Sequence, residues 1–244
     1  MSTENVASRP NITYEGAVAL PRTAVRTSVS VFNSPADGAR AGGDWCEVVN
    51  LSDSLVVLTV GDVSGHGQSV APTMAVMRRS VLRAIHDQRP PSDVLAIANG
   101  VAANVGEGVL VTAIVAIVDQ HQRTLTFANA GHPPPLLLTR GEHAFLSHPP
   151  ADLPLGVFPR LNAATYVVAF PADALVVLYT DGITEHETDP IAGEADLVEA
   201  ARAGYERPGR NLARTIAEGV FSSRRGNDDA VTLALRAEPR LLTA

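Results

Sequence analysis

Lysine is absent from the 244-residue chain; all 19 basic side chains are arginine. That excludes Walker-type phosphate loops, Schiff-base chemistry and lysine general bases together. The single cysteine, Cys46, cannot form an internal disulfide, and Ser52 stands where a cysteine-phosphatase loop would need an arginine. No segment of ~18 consecutive apolar residues occurs, nor a charged-then-apolar leader, so no membrane partner is expected and the cytoplasm is the default location. Only 5% of positions are aromatic, and 26 acidic side chains against 19 basic ones give a formal net charge of −7. Without a basic run or an aromatic-spaced arginine stripe, a nucleic-acid groove is excluded.

What the chain does have is apolar residues at 45% of positions, enough to bury a sizeable core. At ~100–200 residues per domain the prior is one domain or two, and the lack of a repeat or low-complexity linker favours one. Residues 1–20 show no sustained period and are expected to be a flexible leader, with residues 21–244 forming a single domain.

The period of the apolar residues changes along the chain. LVVLTVG (55–61) is short and β-branched, as expected of a buried strand ending at the turn-rich GDVSGHG. Val70, Met74, Met77, Val81 and Ile85 then recur at helical spacing, predicting a helix over 69–86 with Pro72 in its first turn. Pro90-Pro91 stops it, and Ser92 is the expected N-cap of a second helix to about Asn104. TAIVAIVD (112–119), RTLTFANA (123–130) and PPLLLT (134–139) read as strands joined as antiparallel hairpins. TYVVAF (165–170) and ALVVLYT (174–180) flank a Pro-Ala-Asp turn, helices are expected near 194–203 and 212–221, and AVTLALR (230–236) is the last strand. Strands cluster and helices segregate, which favours an α+β fold of antiparallel sheets covered by helices.

Four aspartates share one context. Asp44 in AGGDW, Asp62 in VGDVSGHG, Asp181 in YTDGITE and Asp228 in RGNDDAV each adjoin an expected strand, with Gly or Asn within two residues. Singly, an Asp-Gly after a strand is more often a turn than a ligand. Converged at one sheet edge, each carboxylate pair at ~4 Å would cost on the order of 4 kcal/mol at an effective dielectric near 20. Arg40, Arg224 and Arg225 are the only arginines near these motifs, so divalent metal is the better counter-charge. All-oxygen donors suit magnesium or manganese, whereas zinc would ask for closely spaced His or Cys, a pattern that His66, His121 and His132 do not form. Two such ions ~3.5–4 Å apart would ready a water for in-line attack on a phosphate ester.

AGGDWCEVV, LTVGDVSGHG followed by a helix, FANAGHPPPLLL, LPLGV, LVVLYTDGITE and NDDAVTLAL, in that order, resemble the metal-dependent serine/threonine phosphatases (PPM, protein phosphatase 2C type). They are most similar to the bacterial branch typified by the sporulation stage II E and sigma-B regulator phosphatases, and the likeness runs from about Val29 to Arg236. The resemblance implies a β-sandwich of two antiparallel sheets flanked by helices, in α-β-β-α layers, with two manganese or magnesium ions at one end. It implies that Asp44 and Asp62 are ligands at the metal core, with Asp62 the bridge and the Val63 carbonyl a further ligand. Asp181 and Asp228 complete the set, and Asp229 supports it. His66 lies two residues beyond the turn position where eukaryotic relatives place a proposed general acid, and is a candidate for that role. Arg40, one position off the place of a phosphate-binding arginine, is a candidate phosphate contact. His132 is expected to order a turn.

The implied activity is hydrolysis of phosphoserine or phosphothreonine on a phosphorylated STAS-type anti-sigma-factor antagonist, in a partner-switching stress-response pathway. Many members of the branch carry sensor domains, and none is expected within a sequence of this length. Regulation is therefore expected through a partner protein, a homodimer, or movement of the 69–86 helix beside Asp62. The alternatives are a catalytically silent module of the same fold that sequesters a phosphoprotein, and a metal enzyme acting on a small phosphate ester.

Overall fold

The run LVVLTV lies in a strand covered on both faces. In the computed structural model, which describes residues 18–19, 26–34, 42–65, 67–106, 108–147, 153–185, 190–207, 211–221 and 228–238, Leu55–Val63 forms strand β4. Its Val56, Leu58 and Val60 face one apolar layer and Val57 the opposite one, the period-2 alternation that a pleated strand imposes. Burial on both sides is why the run reads as continuously apolar.

Strand β4 pairs with β3 (Trp45–Asn50) and β5 (Val111–Asp119). With β6 (Thr124–Ala130) and β9 (Tyr166–Ala169) they form a five-stranded sheet of order β3-β4-β5-β6-β9. The second sheet comprises β1 (Val18–Ala19), β2 (Arg26–Ser34), β7 (Leu136–Leu138), β8 (His143–Phe145), β10 (Leu175–Tyr179) and β11 (Ala230–Glu238). Its order is β1-β2-β11-β10-β7-β8, and every strand pair in both sheets is antiparallel. Val18–Ala19, inside the segment expected to be a leader, pair with Val29 and Ser28.

Three apolar layers hold the sandwich. Val48, Leu58, Ile114 and Phe127 of one sheet meet Val29, Leu178, Val231 and Leu233 of the other between the sheets. Helices α1 (Ala71–His86) and α2 (Pro91–Ala102) cover the outer face of the five-stranded sheet through Met77, Val81, Ile85 and Leu95. Helices α3 (Pro190–Glu206) and α4 (Leu212–Phe221) cover the six-stranded sheet through Leu197, Ala201, Leu212 and Ile216. The architecture is the expected α-β-β-α sandwich.

Two local expectations are corrected. Ser92 is not an N-cap: Pro90 occupies that place without a side-chain bond, and the helix begins at Pro91, whose fixed φ and missing N–H suit a first helical position. RTLTFANA and PPLLLT are not a hairpin either. β6 pairs with β5 in one sheet, whereas β7 pairs with β10 in the other. Gly131 at φ 67 turns the chain, and Pro133–Pro135 have no N–H to continue a ladder beside β6, so the segment crosses between sheets. β5 and β6 do form the expected hairpin.

On the outer face of β3, between Trp45 and Val49, lies Glu47, 1% exposed. Its carboxylate pairs with Arg78 of α1. Asn99 of α2 makes a second polar tie: it donates to the Phe158 carbonyl at 3.0 Å and accepts from the Gly156 N–H at 2.8 Å.

Candidate metal centre

The pleat that sends Val48, Leu58 and Leu178 into the space between the sheets sends Asp44, Asp62 and Thr180 the same way at one end of the sandwich. Trp45 pairs with Gly61, and the next bond outward runs from the Val63 N–H to the Gly43 carbonyl at 3.2 Å. Asp44 and Asp62 therefore stand opposite each other across β3 and β4, an arrangement of like charges that costs stability when nothing offsets it. From the other sheet, Asp181 follows β10 and Asp228 precedes β11, its antiparallel neighbour. The sheets approach each other here, β4 beside β10 and β3 beside β11.

The loop before β3 is held by contacts that leave no room for side chains. A Cβ on Gly42 would run into the Asp229 carboxylate, and one on Gly43 into the Val63 carbonyl. The Gly43 N–H donates to Asp229 Oδ2 at 2.7 Å, and the Asp229 N–H to Asp228 Oδ1 at 2.7 Å. The Thr180 hydroxyl donates to Asp44 Oδ2 at 2.7 Å and accepts from the Val231 N–H at 2.9 Å.

Burial and crowding of like charge push these carboxyls up. Asp44 is raised to about 9, first by desolvation and then by Asp62, against a lowering hydrogen bond from Thr180. Asp62 is raised to about 7 by desolvation and then Asp181, Asp228 and Asp229, with its contact to the Asp44 carboxyl pulling the other way. Asp181 is also raised, by burial, then Glu185, then Asp228. No arginine figures among the described charges acting on the three. A buried, mutually repelling set of carboxylates with no cation beside it among the described residues fits a divalent ion with oxygen preference. Among the described residues no three acidic, histidine or cysteine side chains lie close enough to enclose one ion as they stand.

Of the residues singled out in the sequence, Asp44, Asp62, Val63, Asp181 and Asp228 gather at this end; Arg40 and His66 lie outside the described residues, as do Arg224 and Arg225. His132 orders the crossing from β6 to β7: its N–H donates to Asn129 Oδ1 and its carbonyl accepts from Asn129 Nδ2, both at 2.8 Å. Its Nδ1 shares a 2.8 Å hydrogen bond with Thr112 Oγ1, on the residue paired with Asp62. Burial lowers the ring to about 3, so it is neutral; the nearby Tyr179 carbonyl favours its proton without forming a hydrogen bond to Nε2. Thr180 escaped the sequence reading. The signal was its place on the inward face, two residues after Leu178, where a polar side chain needs a partner.

A family model described as Stage II sporulation protein E (SpoIIE) matches residues 52–238. The chain belongs to the SpoIIE family. Solved structures of similar fold include the RsbU and RsbW domains of a Mycobacterium tuberculosis protein, at TM-score 0.78 and 24% identity over 95% of this chain and 63% of that one. The PP2C phosphatase domain of Bacillus subtilis SpoIIE with a fragment of its regulatory domain matches at TM-score 0.74 and 14% identity, over 91% of this chain and 70% of that one. The catalytic domain of the serine/threonine phosphatase PstP, solved with 2 manganese ions, matches at TM-score 0.63 and 16% identity over 88% of this chain and 99% of that one. This SpoIIE-family chain thus spans under two thirds of the first of these and nearly all of the last. No helix among its described residues is long and apolar enough to cross a membrane.

Proposed function

We propose that this chain is a metal-dependent protein serine/threonine phosphatase in which Asp44, Asp62, the Val63 carbonyl, Asp181 and Asp228 hold two manganese or magnesium ions. The observation that carries the reading is the facing of Asp44 and Asp62 across β3 and β4, beside Asp181 and Asp228 from the other sheet, with no described arginine among them. The structure of PstP with 2 manganese ions supports the choice of metal. Two divalent ions held there would lower the pKa of water and offset the charge of a phosphoryl group. The protein's part is to deliver deprotonated carboxylates from four strand ends. Asp229 holds the Gly43 backbone, and thereby the approach to Asp44, in place. The Gly42-Gly43 pair lets the Val63 carbonyl and the Asp229 carboxylate come close. No side chain need act as the nucleophile. Ser64 instead accepts the Leu110 N–H at 2.9 Å as a turn residue.

The substrate is a phosphoserine or phosphothreonine of a STAS-type anti-sigma antagonist, handled in the cytoplasm with a regulatory partner. The resemblance of the six motifs and the RsbU and RsbW domains of the structural neighbour support it. The test is hydrolysis of p-nitrophenyl phosphate with added manganese, by wild type and by Asp62→Asn. The wild type is expected to turn over, and the variant to lose more than ~100-fold, since even residues that merely support a metal ligand cost 10–100-fold. A wild type that binds manganese without hydrolysing either this ester or a phosphorylated STAS protein is the silent binding module.

A further inference from the structure

The geometry points to Thr180 as a positioning residue for the cation site, one that orients the Asp44 carboxylate and fastens it to the opposite sheet. The inference rests on the metal reading above and adds to it a residue that never touches the ion. A threonine hydroxyl has one proton and two lone pairs. The Val231 N–H, at 2.9 Å, takes a lone pair, so the single proton is left for Asp44 Oδ2 at 2.7 Å. Thr180 is fully buried, which leaves no bulk water to compete for either bond.

The backbone that carries the hydroxyl is tied to the same residue, because the Thr180 N–H donates to the Val231 carbonyl at 3.1 Å. Asp44 Oδ2 is thus an acceptor whose partner is set by the backbone of β11, and the carboxylate would meet a cation in the orientation that this bond imposes. The bond also crosses the sandwich, since Asp44 leads into β3 of one sheet while Thr180 directly follows β10 and Val231 belongs to β11 of the other. Together with the Asp229 bond to Gly43, it sets the distance between the halves of the site.

The test is manganese binding to the purified full chain by isothermal titration calorimetry without substrate, comparing wild type, Thr180→Val and Thr180→Ser. Valine keeps the shape and removes the hydroxyl; serine keeps the hydroxyl and removes a methyl. Thr180→Val is expected to weaken binding ~10–100-fold, as loss of a ligand-orienting bond does, and to raise the manganese concentration for half-maximal p-nitrophenyl phosphate hydrolysis in parallel. Thr180→Ser should remain within about threefold of wild type, because the orienting donor is retained. Valine binding manganese as tightly as wild type overturns the assignment, as does serine losing as much as valine. Should thermal melts show that Thr180→Val does not fold, Thr180→Cys takes its place: a weaker thiol donor must bind more weakly than serine, and equality with wild type overturns the assignment. A wild type that takes up no manganese overturns the metal site as well, whereas one that binds manganese but hydrolyses nothing refutes only the proposed activity.

Discussion

The segment from Asp44 to Glu47 carries two buried carboxylates, one on each face of the same sheet, with opposite surroundings. Glu47, facing outward under α1, meets the guanidinium of Arg78. Asp44, facing inward at the strand end, meets the carboxylates of Asp62, Asp229 and Asp181. Charge neutralised within the fold is scaffolding; buried charge with no described cation beside it is what the proposed metal centre would use. Burial alone does not separate the two, and the sign of the neighbours does.

The sharpest way to break this contrast is to remove the internal cation. Arg78→Met should destabilise the chain by about 1–3 kcal/mol, because Glu47 then loses its guanidinium inside an apolar layer; the half-exposed arginine keeps the cost below that of a fully enclosed pair. A lower urea midpoint at constant m-value is the expected readout, and an unchanged midpoint would make the pair incidental.

Asp44→Asn should act in the opposite direction on the metal-free protein, raising Tm at mildly alkaline pH by roughly 2–4 °C for about 1 kcal/mol of relieved repulsion. The pH dependence carries the same sign. Asp44 and Asp62 hold their protons more tightly folded than unfolded, so the stability they contribute is full below the ordinary carboxylate range. It is lost as pH rises through about 7 for Asp62 and about 9 for Asp44. Thermal melts in chelator from about pH 6 to about pH 9 should therefore fall with pH, and manganese should flatten the slope. The smallest effect belongs to Glu47→Gln, about 0.5–1 kcal/mol, because the amide oxygen still accepts from Arg78; a loss as large as that of Arg78→Met would mean that the charge, rather than the bond, holds α1.

The sequence made the sandwich legible wherever one period dominated. The apolar runs of β4, β5 and β10 and the spaced residues of α1 mark buried faces directly, and the aspartates stand out because they end such runs. What it hid was partnership between distant segments. Glu47 between Trp45 and Val49 reads as a solvent-facing position, since nothing local reveals that Arg78 lies above it. The crossing at Gly131–Pro135 reads as a hairpin because a short polar break is common to both. Thr180 reads only as the end of an expected strand until Asp44, just before β3, and Val231 of β11 are in place.

Strand β11 sits between β2 and β10 in the interior of its sheet although it is the last of the described strands in sequence, and Asp229, just before it, grips Gly43 across 186 positions. On the ribosome every earlier segment emerges first and must wait. Until synthesis has passed Glu238 there is no partner for the exposed edge of β10 and no anchor for the Asp44 loop. A nascent chain without that strand lacks Asp228 and Asp229 beside Asp44, so the proposed centre can form only once the strand has inserted.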